Sequence, residues 1–452
     1  MQWGPQRSHH DAVRRLQDSY RAIPAGAPVR LAKPTSNLFR VRGHSDAPGL
    51  DVSGLGGVLH VDPDRRIADV GGMCRYADLV AATLPHGLTP LVVPQLKTIT
   101  LGGAVAGLGI ESASFRNGLP HESVLELDVL IGTGEVVTTG PGDGLHSDLF
   151  RGFPNSYGTL GYATRLRIEL EPVLPKVALR HVRFEDMRDL CEAVGQIMAQ
   201  RSFDGERVDY LDGVVFSPTE SYLTLGTCTR DGGPTSDYTG SQIYYRSIRQ
   251  RRHDLLTTHD YLWRWDTDWF WCSRAFGAQH PVLRRLWPAR LRRSDVYHKL
   301  VRLDRRLRIS DRISGPQETV VQDVEIPLER TPEFLDWFGS HVPIEPLWLC
   351  PVRLRGEHRW PLYPLEPGRD YVNVGFWAGV PIAPGATDGA VNREIESAVS
   401  RTGGHKSLYS DSYYSRSEFD ARYGGAAYAA LKDRYDPDRR LLDLYEKAVR
   451  RR

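Results

Sequence analysis

The chain has 452 residues, 40% of them hydrophobic and 25% charged, with a formal net charge of +2. That length suits about two or three domains, and the composition is that of an ordinary globular protein. The near-neutral balance gives no global signature of a nucleic-acid binder. Five scattered cysteines (Cys74, Cys191, Cys228, Cys272 and Cys350) include no CxxC pair and are odd in number. They argue against a disulfide framework or a zinc site and fit a reducing cytoplasm. The first 30 residues show no basic start followed by an apolar core, and the most apolar region, 79–93, is broken by Pro85, His86 and Pro90. Neither a secretion signal nor a membrane-spanning helix is expected.

In chain order, Ala12, Leu16, Tyr20 and Ile23 recur at helical spacing, predicting a helix over 8–23 that Pro24 and Pro28 end. Residues 29–32 read as a short strand running into Lys33, Pro34, Thr35, Ser36 and Asn37, a loop rich in hydroxyl and amide groups. Strands are predicted at 57–62 and 67–70, and a helix at 75–84 with Tyr76, Leu79 and Val80 on one side.

Residues 94–118 break this texture. Glycine stands at Gly102, Gly103, Gly107 and Gly109, small residues fill most gaps, and Thr98, Thr100, Ser112 and Ser114 add hydroxyls. Such a stretch gives up side chains so that its backbone can come close to something. Bare N–H groups and hydroxyls suit a diphosphate; a glycine-rich turn between core elements is the plainer reading. The run is not the dinucleotide fingerprint of a doubly wound sheet. Ser112 stands where a third glycine belongs, and Pro94, Gln95 and Lys97 precede the run instead of a hydrophobic strand.

Strands follow at 124–131 and 135–139, a short helix at 147–151, a second glycine loop at Gly158–Gly161 and a strand at 163–170, so the first 170 residues read as α+β. Beyond Pro172, strand-like runs at 177–184, 208–216, 221–229, 319–326 and 371–377 accompany a helix at 185–200. They surround an aromatic stretch, 259–274, and a basic one, 281–308, where ten Arg or Lys face Asp295 and Asp304. The aromatic stretch is either core material or the wall of an apolar pocket or a face for a membrane surface, which the neighbouring basic residues suit. A final helix is predicted over 417–434. The Asp436–Pro437 step stops it, and Leu441 and Leu442 are expected to pack back on the first domain. The expected organisation is a domain over 1–172, a second α+β domain over 173–424, and a returning segment over 425–452.

Residues 100–112, 158–161 and 435–442 resemble landmarks of the vanillyl-alcohol oxidase (PCMH-type) flavoprotein fold. Within that fold, residues 100–112, 320–323, 347–351 and 408–411 are similar to the Δ24-sterol reductases, in order, across about residues 30 to 450. Without the N-terminal membrane segment of the sterol enzymes, the chain looks more like a bacterial branch. That branch resembles the reductases that turn a 10-methylene acyl chain into 10-methylstearate, for which a partner methyltransferase makes the methylene lipid.

The resemblance implies non-covalent FAD, NADPH as reductant, a lipid substrate and a cytoplasmic protein in peripheral contact with the membrane. It assigns the FAD diphosphate to Thr100, Leu101, Gly102, Gly103, Gly107, Gly109 and Ile110, with Glu111 and Ser112 toward the ribityl or flavin region. Thr35, Ser36 and Asn37 would form the other side of the phosphate cradle, and Gly158, Gly161 and Tyr162 the adenine side. His44, in a loop resembling that of flavin-linking relatives, is not expected to bond the flavin, because Thr35–Asn37 occupy the equivalent place. Reduction of an isolated alkene needs an acid in an apolar, water-excluding pocket. The ionisable residues where the resemblance is dense are Asp411, Tyr409, Asp323 and His259. An oxidase of the same fold and a lipid-binding protein with a vestigial flavin loop are the rival readings.

Overall fold

The computed structural model describes residues 3–33, 39–40, 49–240, 242–288, 291–307, 315–383, 385, 387 and 389–450. Helix α1 (Trp3–Ala22) buries Ala12, Leu16 and Tyr20, as their spacing requires. It starts before the predicted residue 8 because Pro5 lies in the first turn, where a missing N–H costs nothing.

The first sheet contains β1 (Val58–Asp62), β2 (Ile67–Gly71), β3 (Leu88–Pro90), β4 (Val124–Leu130), β5 (Val136–Thr139) and β6 (Tyr162–Pro172). Its order is β1-β2-β6-β4-β5, with β3 on the far end of β6, and every pairing is antiparallel. In β6, Leu166, Ile168 and Leu170 are buried while Arg165, Arg167 and Glu169 are not, the period-two pattern of a half-covered strand. Helix α2 (Tyr76–Thr83) supplies Tyr76, Leu79 and Val80 to the same core. Each such side chain, once fully buried, contributes about 1.5–3 kcal/mol.

The second sheet has eight strands. They are β7 (Lys176–Phe184), β8 (Tyr210–Ser217), β9 (Glu220–Thr229), β10 (His253–Thr257), β11 (Gln317–Pro327), β12 (Leu347–Val352), β13 (Tyr371–Pro381) and β14 (His405–Lys406), in the order β10-β7-β9-β8-β12-β13-β11-β14. Its two faces differ in chemistry. Leu211, Val215, Leu223, Leu225, Val320, Val324, Ile326, Leu347, Leu349, Val372, Val374 and Phe376 share one aliphatic core. Helices α3 (Met187–Gln200), α4 (Thr331–His341) and α5 (Ala390–Arg401) cover that face. The alternate residues (Asp212, Asp323, Glu325, Trp348, Cys350, Asn373 and Trp377) therefore project from the opposite face. There Trp348 and Cys350 join the core of the first sheet.

The aromatic stretch fills that space. Trp263, Trp265 and Trp271 are almost wholly buried in the shared core, so for these three the stretch is core material. Trp269 and Phe270 sit among them with φ of +45° and +59°, a conformation that side-chain-bearing residues adopt only when their surroundings fix it.

The predicted helix over 417–434 is two helices, α6 (Arg416–Arg422) and α7 (Gly425–Tyr435). Gly424 separates them at φ +79°, where a Cβ would come within 2.9 Å of Leu362. The chain then closes on the first sheet. The Gly132 amide donates to the Tyr435 carbonyl (2.8 Å), the Val29 amide donates to the Arg440 carbonyl (2.8 Å), and Leu441 packs with α1. Among the described residues, no helix is long and apolar enough to cross a membrane.

Candidate functional site

The glycine run is less open than its sequence suggests. Residues Leu101–Ala106 form a short helix whose N-cap is Thr100, its hydroxyl accepting the Gly103 amide at 3.3 Å. The helix is pinned to the first sheet, with the Gly102 amide donating to the Gly72 carbonyl (3.0 Å) and the Leu101 amide to that of Cys74 (2.8 Å). A Cβ on Gly102 would stand 2.5 Å from the Gly72 oxygen, so only glycine allows this approach. Gly107 leaves room for the Tyr157 ring, and Gly109 is wedged between Pro94 and Pro120. Ile110 is half-buried against the same core. In the second loop, Gly158 (φ +76°) and Gly161 (φ +149°) make the turn that lets Tyr162 pack toward Val29, the Tyr162 hydroxyl 3.5 Å from the Val29 carbonyl.

Thr35, Ser36, Asn37 and His44 lie outside the described residues. The residues flanking the first three are informative. The Lys33 ammonium reaches the Thr100 hydroxyl (3.3 Å), and the Phe39 amide donates to the Tyr409 carbonyl (3.0 Å).

Asp323 and Tyr409 come together. Tyr409 makes a side-chain hydrogen bond with Asp323, and Asn373 donates to the Asp323 carboxyl at 3.2 Å. Burial lifts the Asp323 carboxyl to about 6 against these two bonds, which pull it down. Glu325, two residues along the same face, is raised well above the usual carboxylate range by burial and then by the Asp323 charge. The Ser407 hydroxyl donates to one Glu325 oxygen (3.2 Å), while the other has no hydrogen-bond partner among the described residues. Around the pair stands an aromatic wall. The Trp377 indole donates to the Tyr409 hydroxyl (3.2 Å), and the Phe39 ring meets the rings of Tyr409 (5.6 Å), Trp269 (5.6 Å) and His298 (4.6 Å).

Asp411 lies two residues beyond Tyr409, and its carbonyl accepts from Lys406 at 2.5 Å. His259 does not join them. It opens the helix Thr258–Trp263 with its side chain 55% exposed and bonds the neighbouring Asp260 at 3.1 Å, which does not suit an acid kept dry in an apolar pocket.

A second buried network begins at the end of the glycine run. The Ser112 hydroxyl donates to Glu111 (2.5 Å) and lies 2.7 Å from the Tyr261 hydroxyl. Arg264, with no exposed side-chain surface, sits 3.7 Å from Glu111 and donates to Asp212 at 2.9 Å. Its guanidinium lies over the Tyr261 ring at 3.9 Å. Trp265 and Trp348 also donate to the same Asp212 oxygen, at 3.1 and 3.3 Å. Burial raises Glu111 to about 7, partly offset by Arg264. Sequence reading missed Arg264, Asp212, Glu325 and Trp377. Acidic residues standing alone in otherwise apolar strands, at positions 212, 323 and 325, were the available signal for the carboxylates.

The site suits FAD by the chemistry of its donors. Two buried polar atoms without hydrogen-bond partners among the described residues, Gln95 Nε2 and Glu111 Oε2, bracket the close-packed glycine run in sequence. One donor and one acceptor there match a heteroatom-rich ring and its ribityl chain. Residues 13–140 match the FAD binding domain family model. These residues mark an FAD-binding domain, and the chain has an α+β, PCMH-type fold. This flavoprotein is 25% identical over 414 residues to the Delta(24)-sterol reductase of Homo sapiens, covering 86% of this chain and 75% of that one. It is 24% identical over 452 residues to the Delta(24)-sterol reductase of Arabidopsis thaliana (89% and 77%). Over half its length it is similar to cytokinin dehydrogenase 10 of Oryza sativa subsp. japonica, at 34% identity over 265 residues (50% and 48%). The α+β fold and the FAD expected from sequence are both supported by these matches.

Proposed function

We propose that the flavoprotein reduces an isolated carbon–carbon double bond in a lipid. The substrate of this reading is the 10-methylene group of a phospholipid-bound acyl chain, the product a 10-methyl branch, and the reductant NADPH. A lipid methyltransferase would supply the methylene lipid. The observation that carries the reading is the Asp323–Tyr409 pair, an acid held near pH 6 behind an aromatic wall beside the flavin domain.

An isolated alkene has no carbonyl to accept charge, so hydride cannot add to it first. A proton added to the terminal CH2 forms the methyl group and leaves a tertiary cation, which a hydride then converts to the saturated CH. In sum, NADPH, one proton and the alkene give NADP⁺ and the methyl-branched chain. FAD, when bound, supplies the hydride-transferring ring. The protein's own residues supply the rest. Asp323 holds the proton, because desolvation lifts its pKa to about 6 and keeps roughly a tenth of it in the acid form at pH 7, far more than a free carboxyl retains. Tyr409 fixes the carboxyl by its hydrogen bond, and Trp377 fixes Tyr409. Phe39, Trp269 and Trp377 keep out water, which would trap the cation, and their ring faces favour positive charge. Asp411 remains the alternative donor on the same loop.

Reduction of a Δ24 sterol is the second reading. Its support is the similarity to the two named sterol reductases over 86–89% of the chain, and the same proton-first logic serves a trisubstituted alkene. The test is anaerobic. Protein reduced with NADPH is mixed with a 10-methylene phospholipid or with a Δ24 sterol, and flavin absorbance and saturated product are followed. Reoxidation with a 10-methyl product supports the first reading, and reoxidation by the sterol alone supports the second. No reoxidation by either, with peroxide made from an alcohol in air, contradicts both and points to an oxidase.

A further inference from the structure

The described surface carries seven exposed large hydrophobic residues, and four of them fall within ten positions: Val282 (58% exposed), Leu283 (47%), Leu286 (75%) and Leu291 (42%). Val282, Leu283 and Leu286 lie on the short helix Pro281–Leu286 at spacings of one, three and four, so they share one face. Leaving them in water is unfavourable, and covering them with an apolar surface removes that cost.

Positive charge surrounds this face. Arg274, Arg285 and Lys299 are exposed. Arg292 is half-buried, and its Nε has no hydrogen-bond partner among the described residues. The acids nearby are occupied: Asp268 holds Arg284 (2.7 Å) and Asp295 holds Arg293 (2.9 Å). The patch is therefore apolar at its centre and cationic at its margin. An anionic lipid surface offers the complement, with acyl region for the leucines and phosphate oxygens for the guanidinium.

The inner side of the same segment reaches the aromatic wall. Trp287 and Phe276 pack on Tyr297 (6.3 and 5.5 Å), and the adjacent His298 packs on both Phe39 and Trp269 at 4.6 Å. One short stretch thus presents leucines outward and frames the Asp323–Tyr409 site inward.

We propose that Val282, Leu283, Leu286 and Leu291, with Arg285 and Arg292, form a docking face for an anionic bilayer surface, placing the site's aromatic wall against the membrane. The docking face stands on its own surface chemistry. Its service as the entry for substrate rests on the lipid reading above.

The test is flotation of the full-length flavoprotein with vesicles of fully saturated lipids, so that no reducible bond is present and binding is separate from substrate choice. Wild-type protein floats with phosphatidylglycerol–phosphatidylcholine vesicles, and much less with phosphatidylcholine alone. The V282E/L286E variant loses at least about tenfold in partitioning, as does R285E/R292E, while both keep bound flavin and a wild-type melting temperature. Absence of flotation with anionic vesicles, or undiminished flotation of folded V282E/L286E, overturns the proposal. A wild-type dimer in light scattering that V282E/L286E converts to monomer, without wild-type vesicle binding, assigns the face to a second copy and also overturns it.

Discussion

Asp323 carries the chemical weight of the account. Its carboxyl is lifted by desolvation and held by Tyr409 and Asn373, so its variants have defined signs. Asp323→Asn keeps FAD but lowers alkene reduction about 10²–10⁴-fold, the usual worth of a positioned acid; product yield against bound flavin measures this. In wild-type protein, the alkene step is flat at low pH and falls above about 6, as the acid form is lost. Tyr409→Phe removes a bond that lowers the Asp323 pKa, so the alkaline limb moves to higher pH. Glu111 gives a stability test. Its folded value of about 7 lies above that of an unfolded glutamate, so the folded state binds more protons between roughly pH 4 and 7, and this group's contribution falls as pH rises through that window. Glu111→Gln, which does not titrate, therefore gains in melting temperature relative to wild type from pH 5 to pH 8. Asp323 and Tyr409 were picked out in the sequence by the resemblance of residues 320–323 and 408–411 to the Δ24-sterol reductases, and the fold brings the two side chains together. Arg264 and Glu325 were not picked out. A strand sequence gives alternation but not which face is covered, and the pairing of Arg264 with Asp212 spans 52 positions.

Among elements, the helix Leu101–Ala106 and the second sheet decide where these side chains sit. Gly102→Ala puts a Cβ 2.5 Å from the Gly72 carbonyl and must push helix and sheet apart. It costs about 1–3 kcal/mol and weakens flavin retention on a desalting column, whereas Thr100→Ala loses the cap and the Lys33 contact, about 1 kcal/mol for the cap. Most strands were readable from alternation, including Tyr162–Pro172 and Gln317–Pro327. The helix inside the glycine run was not, because glycine disfavours helices intrinsically and only the fit against Gly72 and Ala163 selects it. Nor was the break at Gly424, where a Cβ would collide with Pro361 and Leu362, far away in sequence.

For the whole molecule, residues 432–441 act as a clasp on the first sheet. Lys432 and Asp436 form a buried pair at 2.6 Å. Asp436 also accepts the Arg440 and Leu441 amides, and Lys432 donates to the Thr159 carbonyl at 2.7 Å. Asp436→Ala strands a buried ammonium and costs about 3–5 kcal/mol, read as a fall in urea midpoint. The return of Leu441 to α1 was legible from its sequence, but Leu442, expected to pack with it, is exposed. The aromatic stretch is core material by burial, with Trp269 and Phe270 in the same core as Trp263, Trp265 and Trp271, and Trp269 also meets Phe39 and His298.

Separating the two half-reactions in a stopped-flow instrument under nitrogen tests the central claim most directly. Asp323→Asn protein should be reduced by NADPH at the wild-type rate, yet be reoxidised by a 10-methylene phospholipid at least about 10²-fold more slowly, without the wild-type decline above pH 6. Equal reoxidation rates in variant and wild type, with the same pH profile, would contradict an acid at Asp323 and the proton-first reduction built on it.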